Sequence, residues 1–158
     1  MVAHRIEQTR RRLAVLRSCV AGPGDGWRAL RVLAWALLLP VLKRVLPLRT
    51  LVRLMWSTPR HRWHPEREAA LVTLVGWLYR PRRLTNGNCL ERSLVLYHFL
   101  AEGGARPRLV IGLRPAGGTR GHAWVLCNGR PVGETWADVQ EFTPLVTFGD
   151  GGVIRSGG

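Results

Sequence analysis

The sequence predicts an α+β fold, with helices first and an antiparallel sheet after them, and three observations carry that expectation. Apolar residues recur at helical spacing through most of the first 102 positions. From position 108 the pattern changes to short apolar runs of strand length. Between two of those runs stands Asn128-Gly129, a pair that tolerates positive φ at both turn positions and so marks a hairpin. Helices followed by strands, rather than alternating with them, point to α+β.

Each element has its own signal. Ile6, Leu13, Leu16 and Val20, with Arg10, Arg11, Arg12 and Arg17 between them, read as an amphipathic helix that Gly22-Pro23-Gly24-Asp25-Gly26 ends. A second helix is expected over 27–39, where Pro40 breaks or bends it and Pro47 closes the continuation. A short helix over 48–56 follows, then a basic linker over 57–64. Pro65 suits the first turn of a helix over 66–79, which sets Ala69, Val72, Val75 and Leu78 along one side. After a linker over 80–88, a helix over 89–102 is stopped by Gly103-Gly104. Strands are expected over 108–114, 121–127 and 130–135.

At 158 residues the chain has the size of one domain, expected as a basic helical half (1–64) and a core (65–158). With 46% hydrophobic and 22% charged residues it is neither collagen-like nor disordered throughout. Basic residues number 24 against 10 acidic, a net charge of +14. The excess is uneven: residues 1–83 hold 17 basic and 4 acidic residues, net +13, while 84–158 hold 7 and 6, net +1. A uniformly basic nucleic-acid coat protein does not fit that division. Cys19, Cys89 and Cys127 form no short-spaced pair, which argues against a disulfide framework or a cysteine-rich zinc site and fits the reducing cytoplasm. The longest charge-free apolar run, 32–42, is too short for a bilayer span of about 20 residues and reads as a buried or interfacial helix.

The chemistry concentrates at Asn88-Cys89-Leu90-Glu91-Arg92-Ser93. Asn88 suits an N-cap and Glu91, three positions on, completes a capping-box pattern. Cys89 then takes the first helical position, where the positive end of the helix dipole favours the nucleophilic thiolate. The free N–H groups there can steady an oxyanion. The plainer alternative is a small apolar residue at a helix start.

A catalytic cysteine needs a base. His4 lies in the basic N-terminal helix, His61 and His64 in the linker, and His98 about 13 Å along the helix from Cys89. His122, opening the strand run Gly121-His122-Ala123-Trp124-Val125, is the candidate, against the plainer reading of a strand-edge histidine without a role. Glu134 and Asp138 are the carboxylates available to orient it, with Glu134 preferred. A simple two-residue turn at Asn128-Gly129 puts Glu134 opposite Ala123 and on the wrong face. A bulge or a three-residue loop moves it onto the face of His122. Cys19 and Cys127 read as packing residues, and the seven tryptophans as core or helix-contact residues. There is no phosphate-binding glycine loop and no paired-histidine metal motif, so no cofactor or metal is expected.

Asn88-Cys89-Leu90-Glu91-Arg92-Ser93-Leu94, then Leu109-Val110-Ile111-Gly112-Leu113-Arg114, His122-Ala123-Trp124-Val125 and Gly129-Arg130-Pro131-Val132 resemble the C-terminal domain of the lasso peptide B protein family, transglutaminase-like leader peptidases of lasso peptide biosynthesis. The motifs cover about residues 65–145. The resemblance implies a papain-like core with Cys89 as nucleophile and His122 as general base. The family's third member, usually an aspartate, falls here on Glu134, twelve residues after His122.

The implied reaction frees a ribosomally made precursor from its leader peptide before a separate cyclase closes the macrolactam. Residues 1–80 read as helices and leave no room for a strand-rich fused recognition unit. The split form is therefore implied, with a separate small leader-recognition protein as partner. The +13 half is then available to an acidic leader, to that partner or to a membrane surface, as a peripheral association. Two other readings stand beside this one. The first is acyl or amide transfer on the same fold. The second is a non-enzymatic basic adaptor for membrane or nucleic acid, although with the peptidase no nucleic acid is expected.

Overall fold

The computed structural model describes residues 23–79, 89–114 and 120–155. The expected N-terminal helix, with Cys19 and His4, and the Asn88 cap lie outside the described residues. Four longer helices come first: α1 (Pro23–Val45), α2 (Leu48–Met55), α3 (Pro65–Leu78) and α4 (Cys89–Glu102). Strands β1 (Arg108–Arg114), β2 (Arg120–Cys127) and β3 (Arg130–Pro131) follow, then a short α5 (Trp136–Val139), β4 (Thr143–Phe148) and β5 (Ile154–Arg155). The five strands form one antiparallel sheet in the order β3-β2-β1-β4-β5, so the architecture is α+β.

Local chemistry accounts for most boundaries. Proline's fixed φ suits a first helical turn, and both Pro23 and Pro65 stand there. Residues 23–26, expected as a break, are therefore the first turn of α1. Pro40 lies inside that helix without ending it. Glu66 and Glu68 complement the dipole at the start of α3. The buried side of α3 is Leu71, Val75 and Leu78, whereas Ala69 is exposed and Val72 half-buried, so the helix is rotated from the expected face. Gly104, at φ 84°, ends α4.

Helix α4 is the centre of the molecule, buried from Ser93 to Glu102 and packed by α1, α2 and α3 on one side and by the sheet on the other. Its core cluster joins Val32 and Leu39 of α1, Val52 and Met55 of α2, and Phe148 of β4. Four buried polar residues of α4 each find a neighbour, as burial demands. Glu91 pairs with Lys43 of α1 at 2.6 Å. Ser93 Oγ donates to the Ala123 carbonyl of β2 at 2.8 Å. His98 Nδ1 bonds the Met55 carbonyl at the end of α2 at 3.0 Å, and Glu102 takes Arg31 of α1 at 2.8 and 2.9 Å. Tyr97, whose hydroxyl burial pushes up to about 12, donates to the Gly149 carbonyl and accepts from Gly152 N–H. That pair of bonds ties α4 to the far edge of the sheet.

Two strand expectations need correction. The run over 130–135 is a strand only at Arg130–Pro131, because the chain turns away at Gly133, φ 75°. Strands β4 and β5 were not expected at all, and β4 pairs with the central β1.

Candidate active site

Cys89 is the first residue of α4 and is half-buried. Ser93, four residues on and so on the same side of the helix, bonds Ala123, the neighbour of His122. The Cys89 side of the first turn is therefore the side fastened to β2.

Alternation along β2 separates its two faces. Val125 and Cys127 join the core around α4, whereas Trp124 joins a second cluster with Val110, Val139 and Phe142. His122 has the parity of Trp124 and stacks on its ring at 5.9 Å and 19°, with Phe142 at 4.8 Å on another side. Strand β3 covers only Leu126 and Cys127, so the edge of β2 at His122 is left uncovered by it. Gly112 of β1 pairs with His122 in register. A Cβ at Gly112 would stand 2.9 Å from the Trp124 ring and 2.7 Å from the Thr143 carbonyl. The glycine of the Ile111-Gly112-Leu113 run is thus the space into which Trp124 lies beneath His122.

Glu134 reaches His122 by a route that strand parity does not foresee. Asn128 (φ 51°) and Gly129 (φ 75°) make a simple two-residue turn, with Cys127 opposite Arg130 and Leu126 opposite Pro131. No bulge or longer loop is present there. Val132 N–H still bonds the Val125 carbonyl at 2.9 Å; the positive φ of Gly133 then carries the chain out of the ladder. Glu134 Oε2 lies 3.0 Å from His122 Nε2, and Oε1 is ion-paired with Arg92 of α4. Asp138, the other carboxylate considered, is taken up in a capping box with Thr135 at the start of α5 and is exposed. It reaches His122 only as a nearby charge.

Electrostatics follow from these contacts. Burial first, and the Arg92 charge second, hold the His122 imidazole below its ordinary value, with Asp138 opposing. Burial likewise lowers Arg92, against the upward pull of Cys89 and Asp138. Arg92 is the charge these influences share: Cys89 and Asp138 act on it, and it acts on His122. Among the described residues no hydrogen bond joins Cys89 to His122. Because Nε2 is committed to Glu134, Nδ1 is the ring nitrogen left for a thiol.

The structure brings Glu134 and His122 together and fastens the Cys89 turn beside them. His61 and His64 are exposed. His98 is bound between Met55 and Arg31, with its imidazole lowered mainly by burial. Cys127 is buried, and burial, ahead of the Glu68 charge, pushes its thiol up. Of the described tryptophans only Trp124 is fully buried, while Trp27, Trp63, Trp77 and Trp136 are exposed.

Sequence reasoning missed Arg92 as a site residue. Its place one turn from Cys89 is visible in the sequence, but the carboxylate it meets, Glu134, is 42 positions away and gives no local signal. Phe142 gave no signal.

A family model described as the transglutaminase-like superfamily matches residues 29–147. That span includes Cys89, His122 and Glu134. No curated protein and no solved structure matches.

Proposed function

We propose a reaction for the chain, which belongs to the transglutaminase-like superfamily, a superfamily generally of cysteine-dependent enzymes: hydrolysis of the peptide bond that joins leader to core in a lasso peptide precursor. The observation that carries it is the His122–Glu134 pair at 3.0 Å beside a helix that begins at Cys89. In this reading His122 Nδ1 takes the Cys89 proton and the thiolate attacks the scissile carbonyl. The free N–H groups at the start of α4 hold the oxyanion. The imidazolium returns its proton to the amine of the core as the C–N bond breaks, leaving the leader as an acyl-enzyme. Water, deprotonated by His122, then releases the leader as a free acid and restores the thiol.

Glu134 keeps Nε2 engaged and stabilises the imidazolium, while Arg92 holds Glu134. The choice of precursor rests on the similarity of the Asn88–Leu94, 109–114 and 122–125 runs to lasso peptide B proteins. The partners proposed with it are a separate small leader-recognition protein, which presents the leader, and a cyclase that joins the freed amine to an acidic side chain.

The test is to mix the protein with the precursor from the neighbouring gene, with and without the recognition protein, and weigh the products. Release of a leader ending in a free carboxylate is expected, and Cys89→Ala abolishes it. Retained cleavage in that variant overturns the proposal. A leader recovered as an amide moves the chemistry to transfer onto an amine.

A further inference from the structure

The outer face of α1 is apolar from Trp27 to Val45. Trp27, Leu30, Leu37, Leu38, Val41 and Val45 are 47–67% exposed, and at 100° per residue they fall within one continuous arc. The opposite side of the same helix, Val32, Ala36 and Leu39, is buried in the core. From Trp27 to Val45 the stripe rises through 18 steps of 1.5 Å, about 27 Å. A contiguous apolar stripe of that length marks an interaction surface.

Charge indicates what covers it. From Gly26 to Pro65 the sequence holds eight basic residues and no aspartate or glutamate. Arg44, Arg49 and Arg53 of α1 and α2 are exposed. At the N-terminal end, Trp27 is shared with a cavity of about 310 Å³ whose wall also carries Arg28, Arg31, His61 and Arg67 against Glu102 alone. Apolar stripe, terminal tryptophan and basic surroundings are the arrangement that lies in a bilayer interface and seeks anionic headgroups. Among the described residues no helix is long and apolar enough to cross a membrane, so the fit is to a surface.

We propose that α1 docks the protein on an anionic lipid bilayer through the face of Trp27, Leu30, Leu37, Leu38, Val41 and Val45. Lys43, on the inner side of α1, holds Glu91 in the first turn of α4. The docked face therefore lies about one helix diameter, ~10 Å, from the helix that starts at Cys89.

Co-sedimentation of the full chain with vesicles tests this. Binding is expected to vesicles of equal parts phosphatidylglycerol and phosphatidylcholine at low salt. It should fall about tenfold or more on pure phosphatidylcholine, and also at high salt. The triple variant Leu30→Glu, Leu37→Glu, Val41→Glu, with unchanged circular dichroism, should bind about tenfold or more weakly than the native chain. A native chain that stays in solution with the anionic vesicles overturns the proposal without reference to any variant. So does a triple variant that binds as well as the native chain. A native chain that ignores vesicles and runs at twice its mass, with the variant monomeric, assigns the face to a second copy instead.

Discussion

The first turn of α4 and the outer face of α1 follow opposite rules. Near Cys89, charged groups are buried and each is held: Glu91 by Lys43, Glu134 by both Arg92 and His122. Along α1, apolar groups are exposed over five turns. Buried charge is tolerated only when paired, and removal of one partner leaves the other's desolvation uncompensated. Exposed apolar surface leaves no charge unpaired, and its cost in water is relieved when something covers it. The first region is therefore intolerant of change, whereas the second tolerates it.

The largest effect separating the two regions is expected at His122. Replacing it with alanine removes the proposed general base and should lower the rate of precursor cleavage by about 10³-fold with little change in melting temperature. A variant with more than a tenth of native activity, measured by mass-resolved time courses, removes the base from His122. Next comes Glu134→Ala. Arg92 is then left largely buried without its carboxylate, so chemical denaturation should report a loss of about 3 kcal/mol together with reduced activity. Loss of activity alone, at native stability, would mean that the Arg92–Glu134 pair contributes nothing to the fold.

Gly112→Ala should cost about 2 kcal/mol, because the added methyl meets the Trp124 ring and the Thr143 carbonyl at under 3 Å. If Trp124 supports His122, kcat falls while KM holds. An unchanged kcat would show that the stacked ring is only packing.

How much of this was legible in the sequence depended on the range of the interaction involved. Helix α4 and strand β1 fall on their expected bounds, since Gly103-Gly104 and the apolar run 109–113 are local signals. His122 and Glu134 were legible as a pair, a histidine at a strand start and a carboxylate twelve residues on, and they do meet. The path between them was not, because parity assumes that a strand continues, and Gly133 ends it. Arg92 meets a carboxylate 42 positions away and β4 pairs with a strand 30 or more positions earlier. Spacing within a window sees neither. The apolar run 32–42 read as buried or interfacial; one side of α1 lies in the core and the other is bare. Only the packing could divide those sides.

A smaller effect comes from Arg92→Gln. In the native chain burial and then Arg92 lower His122, and in the proposed mechanism the neutral imidazole is the active base. Activity should therefore persist below the ordinary histidine value of about 6.5 and fall only as pH drops through the lowered one. Without Arg92 the Glu134 carboxylate acts on His122 alone and favours its protonated form. The acid limb of the pH–rate profile must then move to higher pH, and the His122 resonance should titrate with it. An acid limb that stays in place, or moves down, shows that Arg92 does not reach the imidazole.

The smallest effect belongs to the other region and completes the contrast. Leu37 and Leu39 stand two positions apart on α1, one 62% exposed and the other fully buried. Leu39→Ala removes a side chain from the cluster that joins α1 to α4 and should cost about 2–5 kcal/mol. Leu37→Gln touches no core and should stay within about 0.5 kcal/mol of native stability. It should also leave cleavage of a soluble precursor unchanged, because Leu37 lies on the side of α1 away from Lys43 and Glu91. Equal losses in denaturant for the two variants would mean that the bare face is already packed in solution, by the chain itself or by a second copy. Divergent losses leave that face intact, apolar and open, which is the condition a lipid surface requires.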